Sequence, residues 1–299
     1  MSEPPTEPPG GRAFRIPGFG FFHYGAGESM SPIAFLGPEG TFSGILARKR
    51  FGRNARLVAC PTIDSVFEHV ADERAGLGLV PVENSSGGTV YDTIDLLIRH
   101  AGSIFVREEL SLDIRIALLG KPGEPLRTVF SHFTQIKHHS GWLKTCHPKA
   151  KLVPVESTAV AAERAAGTRG GAALASPGAA ELYGLEVLKF PDGGDEVNVT
   201  NFFLIAKSAA DLPKPDRTGL VATLRNECGS LHRFLGPFAR EKVSLTRIIS
   251  RPFPGQPQTY IFYIEIEGSL DQPGVARAGR IARSLTSLGT FPIGRRFRS

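Results

Sequence analysis

Residues 202–206, Phe-Phe-Leu-Ile-Ala, form an unbroken apolar run of aromatic and branched side chains. Such a run reads as a strand buried on both faces. A polar cluster leads into it: Asp195, Glu196, Asn198, Thr200 and Asn201. The mouth of a buried strand is where an α/β protein gathers its chemistry. The cluster equally suits a plain strand entry, with Asn and Thr satisfying loop backbone groups. Asn198-Val199-Thr200 is also a formal glycosylation sequon, with no secretory signal to give it meaning.

Two upstream segments repeat one pattern: strand, polar Gly-containing turn, helix. Residues 33–36 run into Gly37-Pro38-Glu39-Gly40-Thr41-Phe42-Ser43 and a helix over 44–51; residues 63–72 have helical period. Residues 76–82 run into Glu83-Asn84-Ser85-Ser86-Gly87-Gly88-Thr89-Val90 and a helix over 91–100. Such turns let backbone N–H groups reach an anion at a helix N-terminus. Side by side they would form one pocket at the carboxyl ends of parallel strands. Glu83 is a candidate acid/base or orienting group, Asn84 and the hydroxyls are donors, and Gly87 permits close backbone approach. Neither turn is a Walker motif or a dinucleotide fingerprint. Taken singly, each is also an ordinary strand-to-helix turn.

Residues 104–119 read as paired strands crossing into a second lobe. A strand over 129–132 opens a helix over 133–143. A strand over 152–155 precedes an Ala-rich helix capped by Ser157 or Thr158. A strand over 171–175, a helix over 177–183 and residues 187–190 bring the chain back to the starting stretch. Strand–helix units that leave and return describe a two-lobed, doubly wound α/β fold with its site in the cleft. Asp211, Pro213 and Pro215 mark a linker over 207–217. Beyond it come strand 219–224, helix 229–241, strands 245–250 and 259–267, helix 274–285 and a short closing strand near Phe291-Pro292. That order is ferredoxin-like. The expected organisation is a Pro- and Gly-rich disordered leader over 1–30, a catalytic domain over 31–208 and a second domain over 216–299. Met30 offers a second start.

The formal net charge is +6 over 299 residues. Cations concentrate at Arg48-Lys49-Arg50, over 144–151, and at Arg295, Arg296 and Arg298. None of these interleaves aromatics as nucleic-acid binders do, so a small anionic substrate is expected and a nucleic-acid partner is not. No apolar run approaches the ~20 residues of a membrane span. Cys60, Cys146 and Cys228 are far apart, form no CxxC and have no His at metal-ligand spacing. Free thiols in a reducing cytoplasm, and no metal, are expected.

Three segments carry a family resemblance: GPEGTFS at 37–43, PVENSSGGTV at 81–90, and Asn198-Val199-Thr200-Asn201-Phe202. In this order and spacing they resemble the prephenate dehydratase family, whose third motif reads Asn-x-Thr-Arg-Phe. Asn201 stands where that motif has Arg. Two further segments depart: Leu112-Asp113-Ile114-Arg115 replaces Leu-Pro-Ile-His, and only Ser131 and His132 match Ser-His-Pro-Gln-Ala. Arg115 is an extra cation that compensates for Asn201 or simply packs elsewhere; His132 orients at best.

The resemblance implies a catalytic domain like type II periplasmic binding proteins, followed by an ACT regulatory domain. It implies conversion of prephenate, or arogenate, by loss of CO2 and hydroxide in phenylalanine biosynthesis, with no cofactor because aromatisation drives the reaction. It implies Thr200 at the leaving hydroxyl and Glu83 as orienting carboxylate. Substrate would be held by Thr41, Ser43, Asn84, Ser85, Gly87, Asn198 and Phe202. In the ACT unit, Gly229-Ser230-Leu231 and Ser250-Arg251-Pro252 would form a phenylalanine site at a homodimer or homotetramer interface. Ile249 replaces a Glu there, which would weaken or redirect effector binding. Two alternatives stay open: a prephenate decarboxylase of secondary metabolism, which keeps the ring hydroxyl, and a catalytically inactive amino-acid sensor.

Overall fold

In the first lobe, short apolar strands alternate with capped helices: β1 (Ile33–Leu36), α1 (Phe42–Phe51), β2 (Leu57–Cys60), α2 (Ile63–Ala71), β3 (Leu77–Asn84), β4 (Gly88–Thr89), α3 (Tyr91–Arg99) and β5 (Phe105–Asp113). The structure, a computed structural model, describes residues 31–191, 198–210, 212, 214–253 and 259–299. The expected leader over 1–30, together with Asp195, Glu196, Asp211 and Pro213, lies outside the described residues. Helix starts follow capping chemistry. The Thr41 hydroxyl accepts from Gly44 N at α1, and Thr62 and Ser65 form a reciprocal capping box at α2.

The second lobe holds β6 (Ala117–Gly120), β7 (Thr128–His132), α4 (Phe133–His138), α5 (Ser140–Cys146), β8 (Lys151–Val155), α6 (Thr158–Gly167), β9 (Gly171–Ala175), α7 (Gly178–Tyr183) and β10 (Glu186–Lys189). The chain then returns to the first lobe as β11 (Val199–Ala206). The C-terminal unit comprises β12 (Arg217–Thr223), α8 (Ser230–Arg240), β13 (Leu245–Pro252), β14 (Tyr260–Glu267), α9 (Pro273–Ile281) and β15 (Ser284–Phe291). A last strand, β16 (Ile293–Arg298), follows.

Three sheets result. The first-lobe sheet runs β16-β5-β11-β3-β1-β2, with β4 beside β3; the second runs β10-β6-β9-β7-β8; the third runs β13-β14-β12-β15. The two-lobed α/β fold with a ferredoxin-like unit is therefore present. Several boundaries differ from expectation. The strands over 104–119 do not pair with each other: β5 and β6 lie in different sheets, because the chain changes lobe between them. The helix over 133–143 breaks at His139 into α4 and α5. The helix over 274–285 ends at Ile281, and the short closing strand is the eight-residue β15. The strands β2 and β16 were not expected at all.

The central strand β11 lies antiparallel between β3 and β5. Its side chains alternate between two cores, as strand geometry requires. Phe202 and Leu204 join Leu79, Leu110 and Leu112 in a core shared with second-lobe residues such as Leu118 and Leu174. Phe203 and Ile205 join Val80 and Val82 in a core shared with Val221, Tyr263 and Phe291 of the C-terminal unit. One face of this sheet therefore looks toward the second lobe and the other toward the C-terminal unit. Gly289 (φ +102°) permits the second contact: a Cβ there would stand 3.0 Å from the Val106 carbonyl oxygen.

Candidate active site

The sheet topology gathers the three sequence motifs. The strands β1 and β3 are parallel neighbours, so their turns leave from the same end. Because β11 runs antiparallel to β3, its first residues meet the last of β3: Thr200 pairs with Asn84, and Asn201 with Glu83. On the face toward the second lobe, Asn84 holds the cluster together. Its Nδ2 donates to Thr200 Oγ1 at 2.9 Å, to Asn198 Oδ1 at 2.7 Å and to the Val199 carbonyl at 3.3 Å. Its Oδ1 accepts from Ser86 N at 3.0 Å and Gly87 N at 2.7 Å. Ser85 ties the turn to β11: its N–H donates to the Val199 carbonyl, and its Oγ accepts from Val199 N. Thr200 Oγ1 thus accepts from an amide. Among the described residues, no acceptor takes its proton, which leaves the O–H free to donate.

Glu83 is elsewhere, and this corrects the expectation that it shares the pocket with Thr200. The β3–β11 register shifts between Asn201 and Phe202, leaving Val82 as the extra residue of a β-bulge. Uninterrupted alternation from Val80 and Val82 would have turned Glu83 toward the second lobe. The bulge reverses that order and turns Glu83 toward the C-terminal unit. There, Glu83 Oε2 accepts from Arg247 Nη2 of β13 at 2.6 Å. Arg247 also pairs with Glu265 and lies 4.0 Å from Glu109, while the Tyr263 hydroxyl donates to Glu265. Its guanidinium sits over the Phe203 ring, 5.8 Å from the centroid, and its side chain is 11% exposed.

This cluster sets three carboxylates around one arginine. Burial raises the pKa of Glu109, and the charge of Glu265 adds to the rise against the opposing pull of Arg247. Burial likewise pushes the Tyr263 phenol well up, with Glu265 adding to it. Burial works against the charge of Arg247, yet Glu265, Tyr263, Glu83 and Glu109 together raise its pKa. The guanidinium therefore stays charged. Nothing in the residue types of the three motifs indicated Arg247. A usable signal was the period-2 spacing of Arg247, Ile249 and Arg251 on one strand face.

Asn201 shares the charged face. It accepts from Ser111 Oγ at 2.9 Å, and its side chain points away from Thr200. Arg115 is exposed and lays its guanidinium 5.4 Å over the Phe190 ring. Phe202 is 1% exposed and belongs to the core, which corrects its expected contact with substrate. The Thr41 hydroxyl is already engaged, capping α1 and donating to the Leu36 carbonyl at 2.9 Å. Ser43 is buried in the first turn of α1. A Cβ on Gly87 would stand 3.3 Å from Asn84 Oδ1, so the glycine lets the turn close on that amide. His132 caps α4 and is exposed. Tyr183 of the second lobe donates to the Glu39 carbonyl at 3.1 Å, joining the lobes across the Gly-rich turn.

The expected effector residues divide. Gly229 starts α8 in the left-handed conformation. Ser230 lines a cavity of about 380 Å3 with Arg225, Arg233, Arg280 and Arg283. Leu231 packs against the core of the C-terminal unit. Ser250 and Pro252 are exposed, but Arg251 turns to the first lobe, donating twice to Asp95 at 2.5 Å and lying 4.8 Å over Tyr91. Ile249 packs against the core that the first lobe shares with the C-terminal unit. Within the chain, Arg251 thus docks the C-terminal unit on the first lobe. Among the described residues no metal-holding cluster occurs, and no helix is long and apolar enough to cross a membrane.

Comparison with known proteins agrees with this architecture. The family model described as prephenate dehydratase matches residues 33–210. The bifunctional chorismate mutase/prephenate dehydratase of Stutzerimonas stutzeri is 35% identical over 274 residues, covering 89% of this chain and 74% of that one. The prephenate dehydratase of Amycolatopsis methanolica is 35% identical over 271 residues, covering 88% of both chains. Among solved structures, the prephenate dehydratase of Arthrobacter aurescens in complex with L-Phe matches with a TM-score of 0.77 at 28% identity, covering 87% of this chain and 90% of that one. GqqA, described as a novel type of quorum quenching acylase, also matches with a TM-score of 0.77, at 29% identity, covering 88% of this chain and 98% of that one. Over its two-lobed domain and its C-terminal unit alike, this chain belongs to the prephenate dehydratase family.

Proposed function

We propose that the chain is a prephenate dehydratase, converting prephenate to phenylpyruvate, CO2 and water. The observation that carries this reading is the Thr200–Asn84 contact. Loss of hydroxide from the ring needs a hydrogen-bond donor at the leaving oxygen, because hydroxide is a poor leaving group. Thr200 is far too weak an acid to act unaided. The Asn84 amide donates to its oxygen and so favours the charge that builds there as its proton moves toward the leaving group. CO2 leaves as its electron pair enters the ring, and aromatisation drives the step. The first-turn N–H groups of α1 that the Thr41 cap leaves open are the proposed carboxylate contacts, in the manner of helix N-termini. Asn198 and Ser85 hold the start of β11 in place.

The fold of the C-terminal unit, with the L-Phe complex of the Arthrobacter aurescens relative, supports phenylalanine as effector. Arg251 and Ile249 face the first lobe, so we propose weak binding unless the units separate. A dimeric or tetrameric assembly and a cytoplasmic location belong to the same reading.

Two other activities have specific support. Asn201 departs from the Asn-x-Thr-Arg-Phe motif, a departure that resembles decarboxylases which retain the ring hydroxyl. The likeness to GqqA makes acyl-amide hydrolysis a second activity to assay. The test is purified protein with prephenate, reading product spectrum and CO2 together. Phenylpyruvate in step with CO2 supports the proposal. CO2 with a hydroxylated product means decarboxylase; no turnover favours a sensor or an acylase.

A further inference from the structure

We propose that Arg247 of the C-terminal unit is a positioning residue for the Thr200 site: it holds the bulged end of β3 so that Asn84 meets Thr200. The inference deepens the dehydratase reading and rests on it only for its kinetic test. Arg247 touches neither Thr200 nor Asn84. It grips Glu83, the residue immediately before Asn84 and immediately after the bulge.

A β-bulge leaves one residue without a ladder partner, so the local register needs an outside hold. Here the hold is a charge-assisted hydrogen bond from a nearly buried guanidinium, which Glu265 anchors in turn. If Glu83 is released, the end of β3 can revert to plain alternation. Asn84 would then turn away from Thr200, Asn198, Ser86 and Gly87 together. The same strand, β13, carries a second cation, Arg251, but that one grips Asp95 on α3. Both pairs join the units, yet Arg247 alone of the two contacts the site strand. Asn201 lies opposite Glu83 in register and on the same face. A guanidinium carried by residue 201 would therefore approach the same carboxylate from within the sheet.

The experiment uses the full chain and four variants: Arg247→Ala, Arg251→Ala, Glu83→Gln, and Arg247→Ala with Asn201→Arg. Kinetics with prephenate are read beside amide hydrogen exchange over residues 82–90. Arg247→Ala should lower kcat at least tenfold with KM within about twofold, the pattern of a lost transition-state contact rather than lost substrate binding. The amides of Ser85, Ser86, Gly87 and Val90 should exchange faster. Arg251→Ala should leave both readouts close to wild type. Adding Asn201→Arg should restore most of the lost kcat.

Should Arg247→Ala not fold, Glu83→Gln carries the test, because it takes the carboxylate charge out of the hold while leaving Arg247 paired with Glu265. It should lower kcat and loosen 82–90 in the same way. Equal effects from Arg247→Ala and Arg251→Ala would reduce Arg247 to a docking contact and overturn the proposal. So would unchanged exchange over 82–90 in the folded variants. If the wild type does not turn over prephenate, the dehydratase reading fails, and the exchange data still decide the role of Arg247.

Discussion

The two faces of the first-lobe sheet carry opposite kinds of polar chemistry, one residue apart. Toward the second lobe, Thr200, Asn84 and Asn198 form a neutral cluster of amides and a hydroxyl. Toward the C-terminal unit, nearly buried Arg247, Glu109 and Glu265 form a charged cluster that the half-exposed Glu83 joins at its edge. The neutral face keeps one hydroxyl proton unspent. The charged face spends its donors on carboxylates and fixes the backbone. The difference separates a reacting surface from a bracing surface, and the bulge at Val82 is what partitions Glu83 and Asn84 between them.

The hardest way to break this comparison is to remove the apolar floor of the charged face. Phe203 is fully buried beneath Arg247, and Phe203→Ala should destabilise the chain by about 3–5 kcal/mol, measured by denaturant unfolding. Next comes Asn84→Ala on the neutral face. It strips donors from Thr200 and Asn198 and an acceptor from two backbone N–H groups. The expected loss is about 1–3 kcal/mol of stability, with kcat falling far more than Arg251→Ala lowers it.

A smaller effect sharpens the contrast through pH. The pKa of Glu109 is raised in the folded protein, so the native state holds its proton more tightly than the unfolded chain. Its charge therefore works against folding as pH rises from the unfolded value of about 4.3 through the folded one. Glu109→Gln should raise Tm at pH 7.5, and the gain should vanish at pH 4. The smallest effect is expected for Asn201→Arg in the wild-type background. Residue 201 faces away from Thr200, so kcat should stay within about twofold.

Much of the fold was legible because its signals are local. The buried run at 202–206, the Thr41 cap and the two Gly-containing turns each specify their own element. The gathering of Thr200, Asn84, Ser85 and Asn198 followed from their motifs. What escaped depends on long-range pairing. Four-residue β2 is too short to show a period, and Arg-rich β16 reads as a charged tail until it is seen pairing with β5. Glu83 was misassigned because a bulge is a property of two strands; Pro81, a residue that a central strand tolerates essentially only at a bulge, was its one local sign. Phe202 was misassigned because a motif residue that fills a core and one that touches a ligand look alike in sequence.

In the proposed reaction Thr200 donates to the leaving hydroxyl from the neutral face. The direct measurement is phenylpyruvate formation and CO2 release from prephenate by wild type and Thr200→Ala side by side, with Tm as control. The wild type should release both products equally. The variant should lose about 10²–10³ in kcat with Tm unchanged. Wild-type turnover in Thr200→Ala, or a wild-type product that keeps its ring hydroxyl, would contradict that role.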